Sequence, residues 1–226
     1  MHAPPRLRGG LGLRLVPLVF GLFLCAVGIV ALLESKLGLS PWDVLHQGIQ
    51  RHSPLTFGEA NIAVAAAVLV VATLLGARIG IGTIANTILI GAFVQALTSI
   101  GWVEHLAHQP LAARAVLLIF GVAVMGVGSG FYIGAGLGAG PRDSLMVVAS
   151  QRTGVRVGVV RATLELCALA AGYALGGTVG VGTLAFALGI GPAVEASFWL
   201  LARSPLAETP KPASSSSSRS TSASVL

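Results

Sequence analysis

The chain has 226 residues, of which 54% are hydrophobic and only 10% are charged, and its mean hydropathy is +0.87. Soluble domains carry about 25% charged residues, so this composition excludes an ordinary soluble globular protein and predicts a protein of the lipid bilayer. The formal net charge is +6. The basic residues lie at the ends of apolar segments and form no stripe with interleaved aromatic residues, so we predict no nucleic-acid partner.

A basic leader, residues 1–14, precedes the first long apolar segment at residues 15–33, which carries no charge. This segment is long enough to cross a hydrocarbon core of about 30 Å. A basic leader followed by an apolar run also resembles a cleaved signal peptide. A matching segment occurs inside the chain at 115–133, where it cannot be a signal, so we interpret residues 15–33 as a retained membrane span.

The next segment is organised around the sequence Gly38-Leu39-Ser40-Pro41-Trp42-Asp43. Ser40 suits a helix N-cap, Pro41 the first helical position and Asp43 the first turn. Together they predict a helix over residues 41–51. At a rise of about 1.5 Å per residue this helix is too short to span the bilayer, so it is either re-entrant or interfacial.

The remaining segments follow the same pattern. Spans are predicted at about 59–75, 83–100, 115–133, 157–175 and 183–201, and a second short helix at 141–152. The turn at 76–82 is rich in glycine, and Thr83 is predicted to cap the helix after it. Residues 101–113 form a linker. Residues 203–226 are rich in serine and proline without an apolar period, which predicts a disordered tail.

The second half of the chain repeats the first without gaps, so that Gly38, Asp43 and Gly58 recur as Gly138, Asp143 and Gly158. We therefore divide the chain into repeat 1 (15–100) and repeat 2 (114–202). Each repeat contains an odd number of spans, which places the second repeat upside down relative to the first. The predicted fold is an all-α integral membrane protein with six transmembrane helices. They form two inverted three-helix repeats, each with a short half-helix after its first span.

The distribution of basic residues predicts the orientation in the membrane. Eleven lysines and arginines fall on the side of the two termini and three on the other side. Because cytoplasmic segments carry the excess of basic residues, both termini are predicted to be cytoplasmic.

The Gly-x-Ser-Pro-Trp-Asp sequence at 38–43, the Gly-Ile-Gly-Thr turn at 80–83 and their repetition resemble bacterial membrane proteins of the YitT/YczE (YczE/YyaS/YitT) type. The resemblance covers about residues 15–200. It implies a multi-span protein of the bacterial plasma membrane, but it implies no activity and no ligand residues. Arg142 stands where the first copy has Trp42, so the two halves of a shared site would differ chemically.

Asp43 and Asp143 occupy equivalent positions at the start of the two short helices. One interpretation is a cation or proton site with one carboxylate from each half. The other is helix capping, because a carboxylate in the first turn interacts favourably with the exposed amides and the helix dipole. A carboxylate already at each helix start favours a cationic or protonated ligand over an anion.

Four further polar residues lie inside apolar segments, where an ionisable group is a functional hypothesis by default. Glu195 falls in a long apolar run, and its counterpart Gln95 also has a long polar side chain, which suggests a central polar site. Glu165 follows Arg161 by one helical turn, so the two side chains can pair with each other. Binding of a substrate or ion is the alternative for this pair.

Two functions remain open from the sequence. The first is a small secondary transporter or permease, in which one repeat rocks against the other around a polar site. The second is a non-transporting membrane scaffold or accessory subunit of a partner at the membrane. No nucleophile motif, metal-ligand spacing or cofactor motif is present, so we expect no enzymatic activity, no cofactor and no metal site. The expected partners are the lipid bilayer and a small-molecule or ion substrate, and a homo-oligomer is left open.

Overall fold

The computed structural model describes Leu7 and residues 10–206. These residues form eight α-helices and one short 3-10 helix, and they contain no β-strand. Most of the predicted leader, residues 1–6 and 8–9, lies outside the described residues. So does the predicted disordered tail beyond residue 206.

Six of the helices are long and apolar enough to cross a membrane. They are α1 (Leu11–Ser35), α3 (Phe57–Leu74), α4 (Ile81–Thr98), α5 (Leu111–Gly134), α7 (Val157–Ala174) and α8 (Val181–Arg203). The two short helices are α2 (Pro41–His52) and α6 (Pro141–Thr153), and the 3-10 helix Glu104–His108 lies in the predicted linker. The all-α fold with six candidate spans is therefore confirmed.

The short helices begin as the sequence predicts, but their caps differ. Ser40 precedes α2, and its side-chain oxygen accepts a hydrogen bond from the backbone N–H of Asp43 at 3.3 Å. Pro41 and Pro141 each occupy the first helical position. The residue before α6 is Gly140, which has no side chain to cap the helix. The first amides of α6 consequently lack the side-chain acceptor that α2 has.

The threonines near the starts of α4 and α8 do not have the predicted N-cap position. Thr83 is the third residue of α4 rather than its N-cap, and its hydroxyl accepts a hydrogen bond from the N–H of Gly80 at 3.2 Å. Thr183 does the same for Gly180 at 3.3 Å in α8. Each threonine therefore satisfies a backbone donor that the helix itself leaves unpaired.

The centre of the molecule is the packing of α1 against α5. A Cβ atom added at Gly21 would lie 2.6 Å from the carbonyl oxygen of Gly128, and one added at Gly28 would lie 2.7 Å from that of Gly121. Residue numbers that rise along α1 meet residue numbers that fall along α5, so the two helices are antiparallel. Small residues at such a crossing allow the backbones to approach closely in lipid.

The two halves of the chain contact each other crosswise. The N–H of Gly182, at the start of α8, donates to the carbonyl oxygen of Leu37 at 2.7 Å. The N–H of Gly82, at the start of α4, donates to that of Leu137 at 2.9 Å. In the same crosswise manner α2 packs on α7 and α6 packs on α3.

One pair of helices breaks this correspondence. In the first half α3 packs on α4, and a Cβ atom added at Gly58 would lie 2.5 Å from the carbonyl oxygen of Gly91. The equivalent helices α7 and α8 have no comparable packing. Cβ atoms added at Gly158 and Gly191 would meet no atom of the described residues within 4 Å. The same glycine pair is thus joined in one half and separated in the other.

Candidate functional site

A cavity of about 160 Å³ lies at the beginnings of α2 and α6. Many of its lining residues occur as pairs at equivalent positions of the two halves: Cys25 and Met125, Ile29 and Ser129, Ser40 and Gly140, Pro41 and Pro141, Trp42 and Arg142, Asn61 and Arg161, Ala65 and Glu165, Asn86 and Phe186, Ile90 and Ile190. The same surface of each half faces the cavity, but the side chains on the two sides differ in charge and polarity.

A buried polar network in the first half lies directly behind this lining. Asp43 is 1% exposed. It accepts a hydrogen bond from the Ser40 hydroxyl at 2.5 Å, and its second oxygen lies 3.2 Å from Nδ1 of His46. The side-chain amide of Asn61 lies 3.2 Å from the same ring nitrogen. A neutral His46 that donates from Nδ1 to Asp43 keeps Nε2 as an acceptor.

Arg142 reaches from α6 to this network. Its Nη2 lies 3.4 Å from Nε2 of His46, and its guanidinium carbon lies 4.8 Å from the centre of the Trp42 ring. A guanidinium over an indole face is a favourable cation–π contact. Within the described part of the chain Arg142 forms no ion pair with a carboxylate. A guanidinium has five N–H donors, so most of the donors of Arg142 have no protein acceptor there.

Trp42 adds a second donor without an acceptor. Its side chain is 7% exposed. Of all the buried side-chain nitrogen and oxygen atoms in the described residues, only its Nε1 has no hydrogen-bond partner. A buried donor left unpaired costs about 1–3 kcal/mol. Trp42 and Arg142 are thus two lining residues of the cavity that carry donors without a protein acceptor among the described residues.

The acidic residues of the lining are already engaged. The hydroxyl of Tyr132 donates to Asp143 at 2.6 Å. Arg161 and Glu165 form the predicted pair, with 2.9 Å between Nε and Oε1. Arg161 is the more exposed of the two, with about half of its side chain accessible.

The structure brings together three of the six residues predicted from the sequence to form a site, since Asp143, Arg161 and Glu165 all line the cavity. Asp43 lies behind the lining, bonded to Ser40 and His46. The other two lie elsewhere. Gln95 packs beside Gly58 where α3 meets α4, and Glu195 is exposed on the surface of α8.

Sequence reasoning missed Trp42 and Tyr132 as lining residues. The replacement of Trp42 by Arg142 in the second copy was a usable signal, because it marks the one position of the short helices where an aromatic ring changes to a cation. Tyr132 offered no such signal. Its counterpart Leu32 is fully buried in the apolar core, and periodicity alone assigns both positions to packing.

Ser40 is not arranged as an activated nucleophile. The Ser40 hydroxyl donates to Asp43, whereas an activated serine needs a hydrogen bond to the base itself. No group of three or more His, Cys, Asp or Glu side chains that could hold a metal ion is found among the residues that the structure describes.

Comparison with known proteins places these features in a family. A family model described as a family of unknown function, DUF6198, matches residues 12–197. An uncharacterized protein of Haemophilus influenzae is 37% identical over 188 residues, which cover 83% of this chain and 84% of the relative.

Two Bacillus subtilis proteins are also similar. The uncharacterized membrane protein YczE is 37% identical over 74% of this chain and 77% of its own length. The uncharacterized protein YyaS is 23% identical over 73% of this chain and 82% of its own length. No solved structure matches the chain. The chain therefore belongs to the DUF6198 family and is a membrane protein of the YczE type.

Proposed function

We propose that this protein is a small secondary transporter of the bacterial plasma membrane that binds its ligand in the cavity between two inverted repeats. The observation that carries the proposal is the lining of the cavity, to which both halves contribute equivalent positions. Transporters built from inverted repeats place their substrate site at the repeat interface and form it from broken helices. In this protein the short helices α2 and α6 correspond to those broken helices.

Several contacts support the inverted arrangement. The first spans of the two halves, α1 and α5, are antiparallel, as inversion requires. The backbone hydrogen bonds Gly182 to Leu37 and Gly82 to Leu137 are related by exchange of the halves. A pseudo-two-fold axis in the plane of the membrane accounts for both observations.

The excess of basic residues supports an orientation with both termini in the cytoplasm. In that orientation α3 begins and α4 ends at the external side, whereas α7 begins and α8 ends at the cytoplasmic side. We infer that the close contact between Gly58 and Gly91 closes the cavity towards the outside. The separation of Gly158 from Gly191 is inferred to leave the cytoplasmic side open.

Transport requires a second conformation in which these two sides exchange roles. Both halves keep the same glycine pair, so each half has the small residues that the close helix contact needs. In the second conformation Gly158 meets Gly191, while Gly58 and Gly91 separate. The ligand site then faces outwards without any change in the short helices that form it.

Cysteine cross-linking tests this exchange without knowledge of the ligand. Cys25 and Cys167 would first be replaced by serine, and Gly158→Cys and Gly191→Cys then introduced together. Neither position has a described neighbour within 4 Å in the present conformation, so the substitutions fit, but no disulfide forms until the helices approach. We expect a mild oxidant to accumulate the cross-link in membranes over time.

The matched control joins Gly158→Cys with Leu184→Cys, about two turns away on α8, which should stay uncross-linked. A Gly158–Gly191 pair that never cross-links, or one that cross-links no faster than the control, would contradict the transporter. It would favour the rigid scaffold or accessory subunit. The protein is not proposed to be an enzyme, and the hydrogen bond from Ser40 to Asp43 instead of to His46 supports that view.

A further inference from the structure

The proposed transport site has a chemical preference, and this inference rests on that function. We infer that the cavity binds the carboxylate of a small organic acid, held by the guanidinium of Arg142 and the indole N–H of Trp42. Arginine donors match the geometry of a carboxylate, and hydrogen bonds to an ionised acceptor are about twice as strong as neutral ones.

The first argument is that most N–H donors of Arg142 have no acceptor among the described residues. Its hydrogen bond to His46 is long, at 3.4 Å, and goes to a neutral ring nitrogen. Its contact with the Trp42 ring, 4.8 Å from the guanidinium carbon to the ring centre, uses none of its N–H donors. A cation inside a membrane protein normally pairs with an acid or with backbone carbonyls, and a bound carboxylate is the partner that the described residues do not provide.

The second argument is the orphaned donor on Trp42. Proteins rarely bury an N–H without an acceptor, and such exceptions call for a functional explanation. Trp42 lies in the cavity lining beside Arg142. One ligand with two oxygens in a plane would satisfy the indole and the guanidinium together.

The acids near the cavity attract Arg142 through space, but among the described residues no carboxylate oxygen lies within ion-pair distance of its guanidinium. Asp43 is bonded to Ser40 and lies against His46. Asp143 accepts from Tyr132, and Glu165 pairs with Arg161. The sequence predicted a cationic or protonated ligand because a carboxylate occupies each helix start. The donors of Arg142 and Trp42 that lack protein acceptors favour a carboxylate ligand instead.

The size of the cavity limits the ligand. At about 160 Å³ it is smaller than the roughly 300–1,000 Å³ of pockets for drug-sized molecules. A carboxylic acid of a few carbon atoms fits, and a lipid does not. The ligand chemistry has two sources, a simple monocarboxylate and an amino acid. In the second case the free oxygen of Asp143 would receive the ammonium group.

The test is ligand-induced stabilisation of the purified full-length protein by a matched set of small probes: propionate, alanine, propionamide and propylamine. Any compound that binds only the folded state raises the unfolding temperature. We expect propionate or alanine to do so, and propionamide and propylamine to have no effect. A response to alanine alone would support the carboxylate site and add the ammonium contact at Asp143.

Two variants locate the site. Trp42→Phe removes the N–H but keeps an aromatic ring, and Arg142→Gln removes the charge. Loss of a hydrogen bond to a charged acceptor should weaken binding about 10- to 100-fold. If Arg142→Gln fails to fold, Trp42→Phe still gives the answer. Trp199→Phe and Arg203→Gln are the matched controls, because that pair is also stacked, at 3.6 Å, but lies outside the cavity.

Stabilisation by propylamine instead of the acids, or unchanged affinity in Trp42→Phe, would overturn the inference. Neither result would affect the cross-linking of Gly158 to Gly191. A transporter with another ligand is therefore distinguishable from a protein that does not transport.

Discussion

The substitutions Gly158→Ala and Gly58→Ala change equivalent positions of the two halves by the same single methyl group. In the present conformation their surroundings are opposite. The new Cβ atom at Gly58 would lie 2.5 Å from the carbonyl oxygen of Gly91, and the one at Gly158 would have no described neighbour within 4 Å. The two variants therefore separate the effect of the methyl group from the effect of the helix contact.

The expected energies follow from these distances. Overpacking of a close contact costs about 1–3 kcal/mol, so Gly58→Ala should destabilise the present conformation by that amount. Alanine in place of glycine in a helix gains up to about 0.5–1 kcal/mol, so Gly158→Ala should be neutral or stabilising. The helix gain is common to both variants, so they should differ by about 1–3 kcal/mol, or a few degrees in unfolding temperature.

The second measurement uses Cys25, which lines the cavity, after the exposed Cys167 has been replaced by serine. A membrane-impermeant thiol reagent would be added to right-side-out or inverted membrane vesicles. Gly158→Ala should block closure of the cytoplasmic side and increase labelling of Cys25 from that side. Gly58→Ala should block closure of the external side and increase labelling from outside.

The reasoning is refuted if the two variants have the same unfolding temperature, or if both label Cys25 equally from the two sides. Equal stability would mean that the contact between Gly58 and Gly91 does not exist in the membrane. Equal labelling would mean that the cavity does not alternate between the two sides.

Three further predictions concern the structure around the cavity. Ser40→Ala removes the cap of α2 and should lower the free energy of unfolding by about 1–2 kcal/mol, measured by denaturant titration in detergent. Tyr132→Phe removes the 2.6 Å hydrogen bond to Asp143 and should cost about 1–3 kcal/mol, and an unchanged unfolding midpoint would argue against that bond. Gly38→Ala places a Cβ atom 2.8 Å from a backbone nitrogen at φ 126°, so little folded protein should be recovered. Gly136→Ala, at φ 63° with no described neighbour within 4 Å, should lower the free energy of unfolding by only about 1–2 kcal/mol. Size-exclusion profiles would compare the amounts of folded protein recovered for the two variants.

The helices could be predicted because their signals are local. Apolar length marks the spans, and the serine–proline–aspartate sequence marks the start of α2, which runs over Pro41–His52 against a predicted 41–51. The constant offset between the halves also predicted which residues are equivalent. These signals need no knowledge of which helix packs on which.

The site could be predicted only in part, because hydropathy does not tell which face of a helix an acid occupies. Glu195 and Glu165 both lie in apolar segments of the sequence, yet Glu195 is exposed on α8 and Glu165 lines the cavity. The unpaired donor of Trp42 depends on what surrounds it after folding. The sequence could not predict which glycine pair is in contact, because identical residues are in contact in one half and apart in the other.

The crosswise hydrogen bonds have a consequence for biosynthesis. The carbonyl oxygen of Leu37 bonds to Gly182 at the start of the last helix. When the ribosome has delivered only the first half, this carbonyl has no partner, and the Asp43–His46 pair has not met Arg142. A nascent chain at that stage holds polar groups without their final partners, and any such group in hydrocarbon costs several kcal/mol. Membrane proteases and insertion factors would thus encounter a vulnerable intermediate until translation of α8 completes the fold.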